Sequence, residues 1–366
     1  MKRKLKVGII FGGKSAEHEV SLQSAKNVIA ALDKNKYESV LIGIDKVGKW
    51  HLQEGAHYLL NDTNPKLIAL NNAGASELVL APGQQSFQIT GLSDRKANRE
   101  VDVIFPVLHG TNGEDGTMQG LLKIMDIPFV GPGVLGSAVG MDKDVAKRLW
   151  RDAGIPIAKF ITIRNSEKHR ISFGKAKKEL GLPMFAKPAN AGSSVGVSKV
   201  KSEKDFKKAI DAAFQFDNKI LIEEFIKGRE IEVAVLGNEH PRASIPGEII
   251  PHHEFYSYES KYIDENGAAA EIPAKLPKPF IKKIQDAAVK AFQVIECEGM
   301  ARVDFFVTPS GKFCINEINT IPGFTNISMY PKMWEASGCT YPELIEKLIE
   351  LAIERHERES KLKTIF

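Results

Sequence analysis

Met300 to Met329 reads MARVDFFVTPSGKFCINEINTIPGFTNISM. Two apolar runs of strand length flank Thr308-Pro309-Ser310-Gly311, which is turn chemistry, so the stretch predicts a β-hairpin with polar residues set into a core-like background. Residues two apart share a strand face, so Arg302 and Asp304 point one way, and Glu317 and Asn319 do the same. If Thr308 and Gly311 close a two-residue loop, Arg302 falls opposite Glu317 and Asp304 lies diagonal to it. A three-residue loop would shift the register and separate the two pairs.

Two carboxylates, an amide and a guanidinium among Val303, Phe305, Ile315 and Ile318 need compensation, because unpaired buried charge is strongly disfavoured. Oxygen donors of this kind suit Mg²⁺, which keeps waters and takes its remaining ligands from nucleotide phosphates. The competing reading is a structural ion-pair network.

Working outward, 366 residues with 43% hydrophobic and 26% charged content are enough for two or three globular domains. A net charge of +4 is too weak to argue for nucleic acid. The three cysteines, Cys297, Cys314 and Cys339, lack metal-type spacing and suit a reducing cytosol. The basic start MKRKLK precedes an apolar run too short for a signal peptide, and no run would span a bilayer, so a cytoplasmic protein without membrane or nucleic-acid partners is expected.

Val7 to Phe11, the Gly12-Gly13 turn and the helical spacing of Leu22, Ala25, Val28, Ile29 and Leu32 read as strand, turn and helix. With strands at Val40–Ile44 and Val101–Val107, the first third is a parallel α/β unit whose polar loops make Glu17 and His109 candidate ligand contacts. Residues 50 to 100 show no clear pattern. Gly131 to Gly136 matches G-x-G-x-x-G, but it ends the α/β unit instead of opening it, so a plain turn and helix start is expected.

From Met141 an amphipathic helix carries Val145, Leu149 and Trp150 on one face, and basic residues Lys143, Lys187 and Lys199 lie near apolar segments. The strand Pro183 to Lys187 runs into PANAGSSVGV, small residues whose N–H groups can approach phosphate. Ile220 to Phe225 is a buried strand ending in Glu223, Glu224, Phe225 and Ile226, where backbone could pair with an adenine edge. Glu230 to Val235 alternates like a half-covered strand, with Glu230 able to reach a ribose and Glu232 expected on a solvated face. The aromatic, aperiodic run after His252 suits a lid with Lys261 and Tyr262 as its functional side chains; the pair His252-His253 is structural. Helices follow at Pro279–Ile295 and Tyr341–Arg358.

GGKSAEHEVS, LHGTNGEDGTMQG, MDK, FAKPANAGSSVGV, KY, ARVDF and NEINTIPGFT, in that order over nearly the whole chain, resemble the D-alanine:D-alanine ligase family of the ATP-grasp superfamily. Each motif is weak alone; seven in order are very specific. The resemblance implies an α/β and α+β fold in which residues 1–140 form an N-terminal parallel α/β domain. Residues 141–226 form a central ATP-grasp subdomain with the Gly/Ser loop. Residues 227–366 form a C-terminal subdomain with the lid and the metal-binding hairpin, in a chain that is usually a homodimer.

By the same resemblance, Lys143, Lys187 and Lys261 contact phosphate, Glu223 to Ile226 hold adenine and Glu230 the ribose. Asp304, Glu317 and Asn319 hold two Mg²⁺ ions with Glu317 shared, and Mn²⁺ can stand in. Glu17 holds the first D-alanine's ammonium, and His109 orients its carboxylate. Ser193 ties Glu17 to Tyr262, and Ser328 and Lys261 anchor the second carboxylate beside Met329. Arg302 and the Gly323 N–H steady the oxyanion. The implied product is D-alanyl-D-alanine for peptidoglycan, made through an acylphosphate that the 254–272 loop shields from water. Tyr262 favours dipeptide over depsipeptide. Competing readings are another ATP-grasp ligase (D-lactate or D-serine included), a nicotinamide dehydrogenase and a non-catalytic nucleotide sensor.

Overall fold

The computed structural model describes residues 3–53, 58–83, 88–92, 98–251 and 268–363. The Val7–Phe11 run becomes β1 (Leu5–Gly12), and α1 (His18–Ala31) follows the glycine turn. β1 pairs in parallel with β2 (Tyr37–Ile44) and, on its other edge, with β8 (Val103–Val107). The stretch without a clear pattern supplies an antiparallel extension through β3 (Trp50–Gln53), β6 (Ser76–Leu80) and β7 (Ile89–Gly91), while the short β4 (Leu59–Leu60) and β5 (Ala69–Leu70) pair apart. The parallel unit is therefore mixed at one edge. Short strands with one exposed face lack the continuous apolar run that marks β1 and β8.

After α2 (Thr117–Ile124), Gly131 to Gly136 forms the expected turn and opens α3 (Val134–Met141). Asp142 then caps α4 (Lys143–Asp152) by accepting from the Asp144 and Val145 N–H groups. A second sheet is antiparallel throughout, in the order β11 (Ser198–Val200), β10 (Met184–Pro188), β12 (Lys219–Glu224), β9 (Phe160–Arg164). Met184, Ala186, Ile220 and Ile222 face α5 (Phe173–Leu180) and α6 (Glu203–Ala213) across a dry core. Phe185, Lys187 and Glu223 fall on the opposite face by the period of two.

The third sheet holds β13 (Arg229–Gly237) between β15 (Gly247–Pro251) and β17 (Gly299–Val307), with β14 (Arg242–Ala243), β16 (Ala268–Glu271) and β18 (Phe313–Asn319) around them. Ile231, Val233, Val303 and Phe305 pack against Ile284, Ala288 and Phe292 of α7 (Lys278–Val294). Trp150 of α4 joins that core and donates Nε1–H to the Ala291 carbonyl at 3.1 Å. Full burial of each such side chain contributes about 1.5–3 kcal/mol, which fixes which face of the sheet is apolar. The opposite face is divided: Ala234, Leu236, Ile249 and Met300 are apolar and buried, and polar residues occupy the rest. Helices α8 (Met329–Ala336) and α9 (Tyr341–Glu359) pack into a core shared by the first sheet and the apolar part of the third, where Tyr330 donates its hydroxyl to Val235 O at 3.0 Å.

The hairpin register differs from expectation. Its loop has three residues, closed by Thr308 N–H donating to Lys312 O at 2.8 Å, with Gly311 at φ +74°. That alone would move every β18 side chain to the wrong face. Asn316 is then inserted as a bulge, between Ile315 opposite Phe305 and Glu317 opposite Asp304. Two single-residue shifts restore parity, so Arg302 faces Asn319 and Asp304 faces Glu317, and all four share one face.

Candidate active site

The polar face of the third sheet is built from three strands. Glu232 pairs with Asp304 and Ala234 with Arg302 across β13 and β17, so Glu230 and Glu232 stand beside the hairpin quartet. Arg302 donates Nε–H and Nη2–H to the two Asp304 oxygens at 2.7 Å each, and its Nε lies 3.1 Å from Glu232 Oε2. Glu232 is 8% exposed, so the expected solvated face does not exist: β13 is covered on both sides. Sequence reading passed over it because alternation looks the same on a half-covered strand and on a polar stripe facing a closed cleft.

A cavity of about 330 Å³ lies over this face and is lined also by Glu17, Glu114, Lys143, Ser193, Gly323 and Ser328. Lys143 bridges the sheets: its Nζ donates to Ala191 O at 2.7 Å and lies 3.4 Å from Glu317 Oε2. The Gly/Ser loop holds Ser193 and Ser194 at φ 51° and 60°, which turns the Ser193 hydroxyl toward the N-terminal domain, where it donates to Glu17 Oε1. Glu114 also borders the cavity and accepts from the Gly110 N–H at 2.8 Å. Burial, and then the neighbouring Glu17, push its carboxyl well above the ordinary range.

Lys187 and Glu223 meet on the cleft face of the second sheet, with Lys187 Nζ 2.8 Å from Glu223 Oε2. Glu223 is not free at an adenine edge: its other oxygen lies 3.3 Å from Nζ of Lys147, a fully buried lysine. Burial alone would raise the Glu223 carboxyl, but the two ammonium groups together hold it below its ordinary value. Lys147 was missed because a charged residue on an amphipathic helix reads as solvated; the signal was its spacing of four from Lys143, which puts both on one helix face. At the end of β12, Glu224 accepts from the Lys159 N–H at 2.7 Å, and Phe225 is a half-exposed ring with Lys199 Nζ 5.0 Å from its centroid. Ile226 follows it.

His109 is buried behind the cavity and held at both ring nitrogens. Its Nδ1 lies 3.0 Å from Ile321 O and its Nε2 3.1 Å from Ser24 Oγ, which accepts from the Phe324 N–H at 3.1 Å. A carbonyl only accepts, so Nδ1 carries the proton, Nε2 accepts from Ser24, and both ring nitrogens are used inside the protein. The ring therefore braces the Ile321–Phe324 turn that carries Gly323. A side chain at Gly323 would begin 2.8 Å from Ser328 Oγ and would displace that hydroxyl. Ser328 Oγ accepts from the Thr325 N–H at 2.9 Å, and Met329 beside it is buried in the core.

Burial holds the His109 imidazole down to about 4, so between pH 6.5 and 4 the folded chain binds fewer protons than the unfolded one. Its contribution is therefore complete above pH 6.5 and lost as pH falls toward 4, about 3 kcal/mol in all. Urea denaturation of wild type and His109→Asn at both pH values should show the smaller pH dependence in the variant. Parallel curves would mean that the imidazole is not buried neutral.

The oxygen donors fit a hard cation: Asp304, Glu317 and Asn319 border one cavity, and Asn319 Oδ1 is buried without a hydrogen-bond partner. Among the described residues no three His, Cys, Asp or Glu side chains form a metal cluster, so this set would be completed by oxygens from outside the chain. Lys261, Tyr262, the His252-His253 pair and most of the expected lid lie outside the described residues.

Comparison with known proteins shows the family. Residues 6–132 match the model of the D-ala D-ala ligase N-terminus, and residues 149–350 that of the D-ala D-ala ligase C-terminus. The chain is 59% identical over 361 residues to the D-alanine–D-alanine ligase of Oceanobacillus iheyensis, covering 99% of this chain and 98% of that one. It is 56% identical to D-alanine–D-alanine ligase A of Escherichia coli K12, covering 99% of both. Among solved structures, the D-alanine-D-alanine ligase from Coxiella burnetii superposes with a TM-score of 0.86 at 43% identity, covering 98% of this chain and 96% of that one. The VanG D-Ala:D-Ser ligase from Enterococcus faecalis gives 0.83 at 36%, covering 96% and 100%. With a parallel α/β domain leading into paired antiparallel sheets of the ATP-grasp kind, the chain belongs to the D-alanine–D-alanine ligase family.

Proposed function

We propose that the chain joins two D-alanines at the expense of ATP, giving D-alanyl-D-alanine, ADP and phosphate for peptidoglycan synthesis. The observation that supports this reading best is the shared polar face: Arg302, Asp304, Glu317 and Asn319 border the cavity that also receives Glu17 and Ser193. The γ-phosphoryl group passes to a carboxylate oxygen of the first D-alanine, and the resulting acylphosphate is attacked at carbon by the amine of the second. The new C–N bond forms as the C–O bond to phosphate breaks, and the amine gives up its proton.

In this reading Glu17, oriented by Ser193, holds the first ammonium, and Lys143, Lys187 and Lys261 face the phosphates. The half-exposed Phe225 ring is available to the base, with the backbone of Glu223 to Ile226 along the adenine edge, and Glu230, which borders the cavity, at the ribose. Asp304, Glu317 and Asn319 would hold two Mg²⁺ ions, or Mn²⁺, which offset phosphate charge during transfer. Arg302 and the Gly323 N–H stabilise the tetrahedral oxyanion, a role an ion-pair network or a nucleotide sensor would not need. Tyr262 and Lys261 close the site, with Ser328 and Met329 at the second substrate. His109 acts from behind, through the turn.

The working unit is a homodimer of three-domain chains divided near residues 140 and 226, acting in the cytoplasm. No helix among the described residues is long and apolar enough to cross a membrane. ADP and phosphate release with ATP and a panel of D-alanine, D-serine, D-lactate and L-alanine tests the reading. Release should require D-alanine, vanish with EDTA and return with Mg²⁺ or Mn²⁺. Release independent of D-amino acids, or tight NAD binding, would reject it.

A further inference from the structure

We propose that Ser24 is a positioning residue that aims the Gly323 N–H at the reacting carbonyl, with Asn27 and Tyr341 holding the peptide that follows; the inference rests on the ligase reading above. A donor to an oxyanion contributes only if it is fixed before charge develops, and a lone backbone N–H in a turn has little to fix it. Gly323 has no side chain, and the Pro322 nitrogen before it bears no hydrogen to tie down. Among the described residues nothing accepts from the Gly323 N–H, and Gly323 is half-buried on the cavity wall while Ile321, Pro322 and Phe324 are buried. The aim of that group therefore comes from its neighbours.

Those neighbours are held. His109 Nδ1–H donates to Ile321 O at 3.0 Å, the Ser24 hydroxyl donates to His109 Nε2 at 3.1 Å, and the Phe324 N–H donates to Ser24 Oγ at 3.1 Å. The three bonds run in one direction and close a ring over residues 321–324, so each polarises the next. Ser24, fully buried, is the joint between α1 and the turn. Beyond the ring, Phe324 O accepts from Asn27 Nδ2 at 2.9 Å and from the Tyr341 hydroxyl at 2.8 Å, while the Phe324 side chain packs edge-on against Phe105 and Tyr330. Ser24 and Asn27 lie one turn apart on α1, the helix that Glu17 opens, so the carboxylate proposed for the first ammonium and the groups that hold the turn share one rigid element. A D-alanine seated on Glu17 is thereby presented to a donor set from the same helix.

The test uses the full-length enzyme with ATP and Mg²⁺. In Ser24→Ala the Phe324 N–H loses its acceptor, and kcat should fall roughly 10- to 100-fold, part of the cost of losing an oxyanion donor outright, with the KM for ATP within about threefold of wild type. A dipeptide analogue with a tetrahedral phosphinate in place of the reacting carbonyl should bind more weakly by a similar factor, whereas ADP should bind as before. Asn27→Ala and Tyr341→Phe should each lower kcat by less than about threefold, since the other still donates to Phe324 O, and together by roughly 10- to 30-fold. An unchanged phosphinate affinity in Ser24→Ala overturns the assignment and leaves the ligase reading intact. Equal losses in kcat, ATP affinity and ADP affinity also overturn it, because they mark a general role in folding or closure. Should Ser24→Ala not fold, the double variant decides, and a wild-type kcat there overturns the assignment. A wild-type enzyme that makes no dipeptide from D-alanine removes the reading and the inference together.

Discussion

Arg302→Lys should lower kcat about 10²- to 10³-fold while leaving the melting temperature and the KM for ATP close to wild type. Lysine keeps a positive charge between Asp304 and Glu232, so no carboxylate is abandoned in the cleft. What it loses is the fork. Arginine binds both Asp304 oxygens at 2.7 Å and is thereby held in one orientation on the wall of the cavity. Stabilising an oxyanion depends on that preorganisation and not on net charge. Rates of ADP release, paired with thermal melts, decide the matter: a loss below tenfold, or a rate that falls only because the protein unfolds, would reassign Arg302 to structure.

Glu223→Gln should cost about 3–5 kcal/mol of stability at neutral pH, because it leaves two lysines facing each other in a buried site without a counter-charge. Burial already pushes the Lys147 ammonium below its ordinary value, and Glu223 is the main force opposing that fall. Without Glu223 the folded-state value falls further, so the folded variant binds fewer protons than the unfolded chain over a wider range below the ordinary lysine value. Its stability therefore rises with pH through that window, and the deficit should be smaller at pH 9 than at pH 7. Urea denaturation at the two pH values measures it. A deficit under 1 kcal/mol, or one that grows with pH, would show that the lysines do not depend on Glu223. The KM for ATP should rise as well, since Lys187 loses the partner that positions it.

The hairpin shows how far reading the chain could go. Its strands, its polar quartet and their common face were legible, because alternation in two apolar runs is strong and turn residues separate them. Its register was not. Loop length and the Asn316 bulge each shift pairing by one residue, and a pattern of period two is blind to a pair of shifts that cancel. Glu232 was misjudged and Lys147 passed over for a related reason: polarity along one element says which face is polar, not whether another element covers it. His109 could be noticed from its loop, but its tie to Ile321 spans 212 positions and exists only once the chain is folded.

Residue order alone determined the kinds of elements, their succession and the chemistry available to them, because propensity, periodicity and ordered motifs act over a few residues at a time. Only the tertiary structure decided which charges neutralise one another and which remain for a substrate. Arg302 is committed to Asp304 and Glu232, Lys147 and Lys187 to Glu223, and Lys143 to Glu317. Electrostatic pairing falls off over a few ångströms in space whatever the separation along the chain, so it becomes readable only when distant segments are packed together.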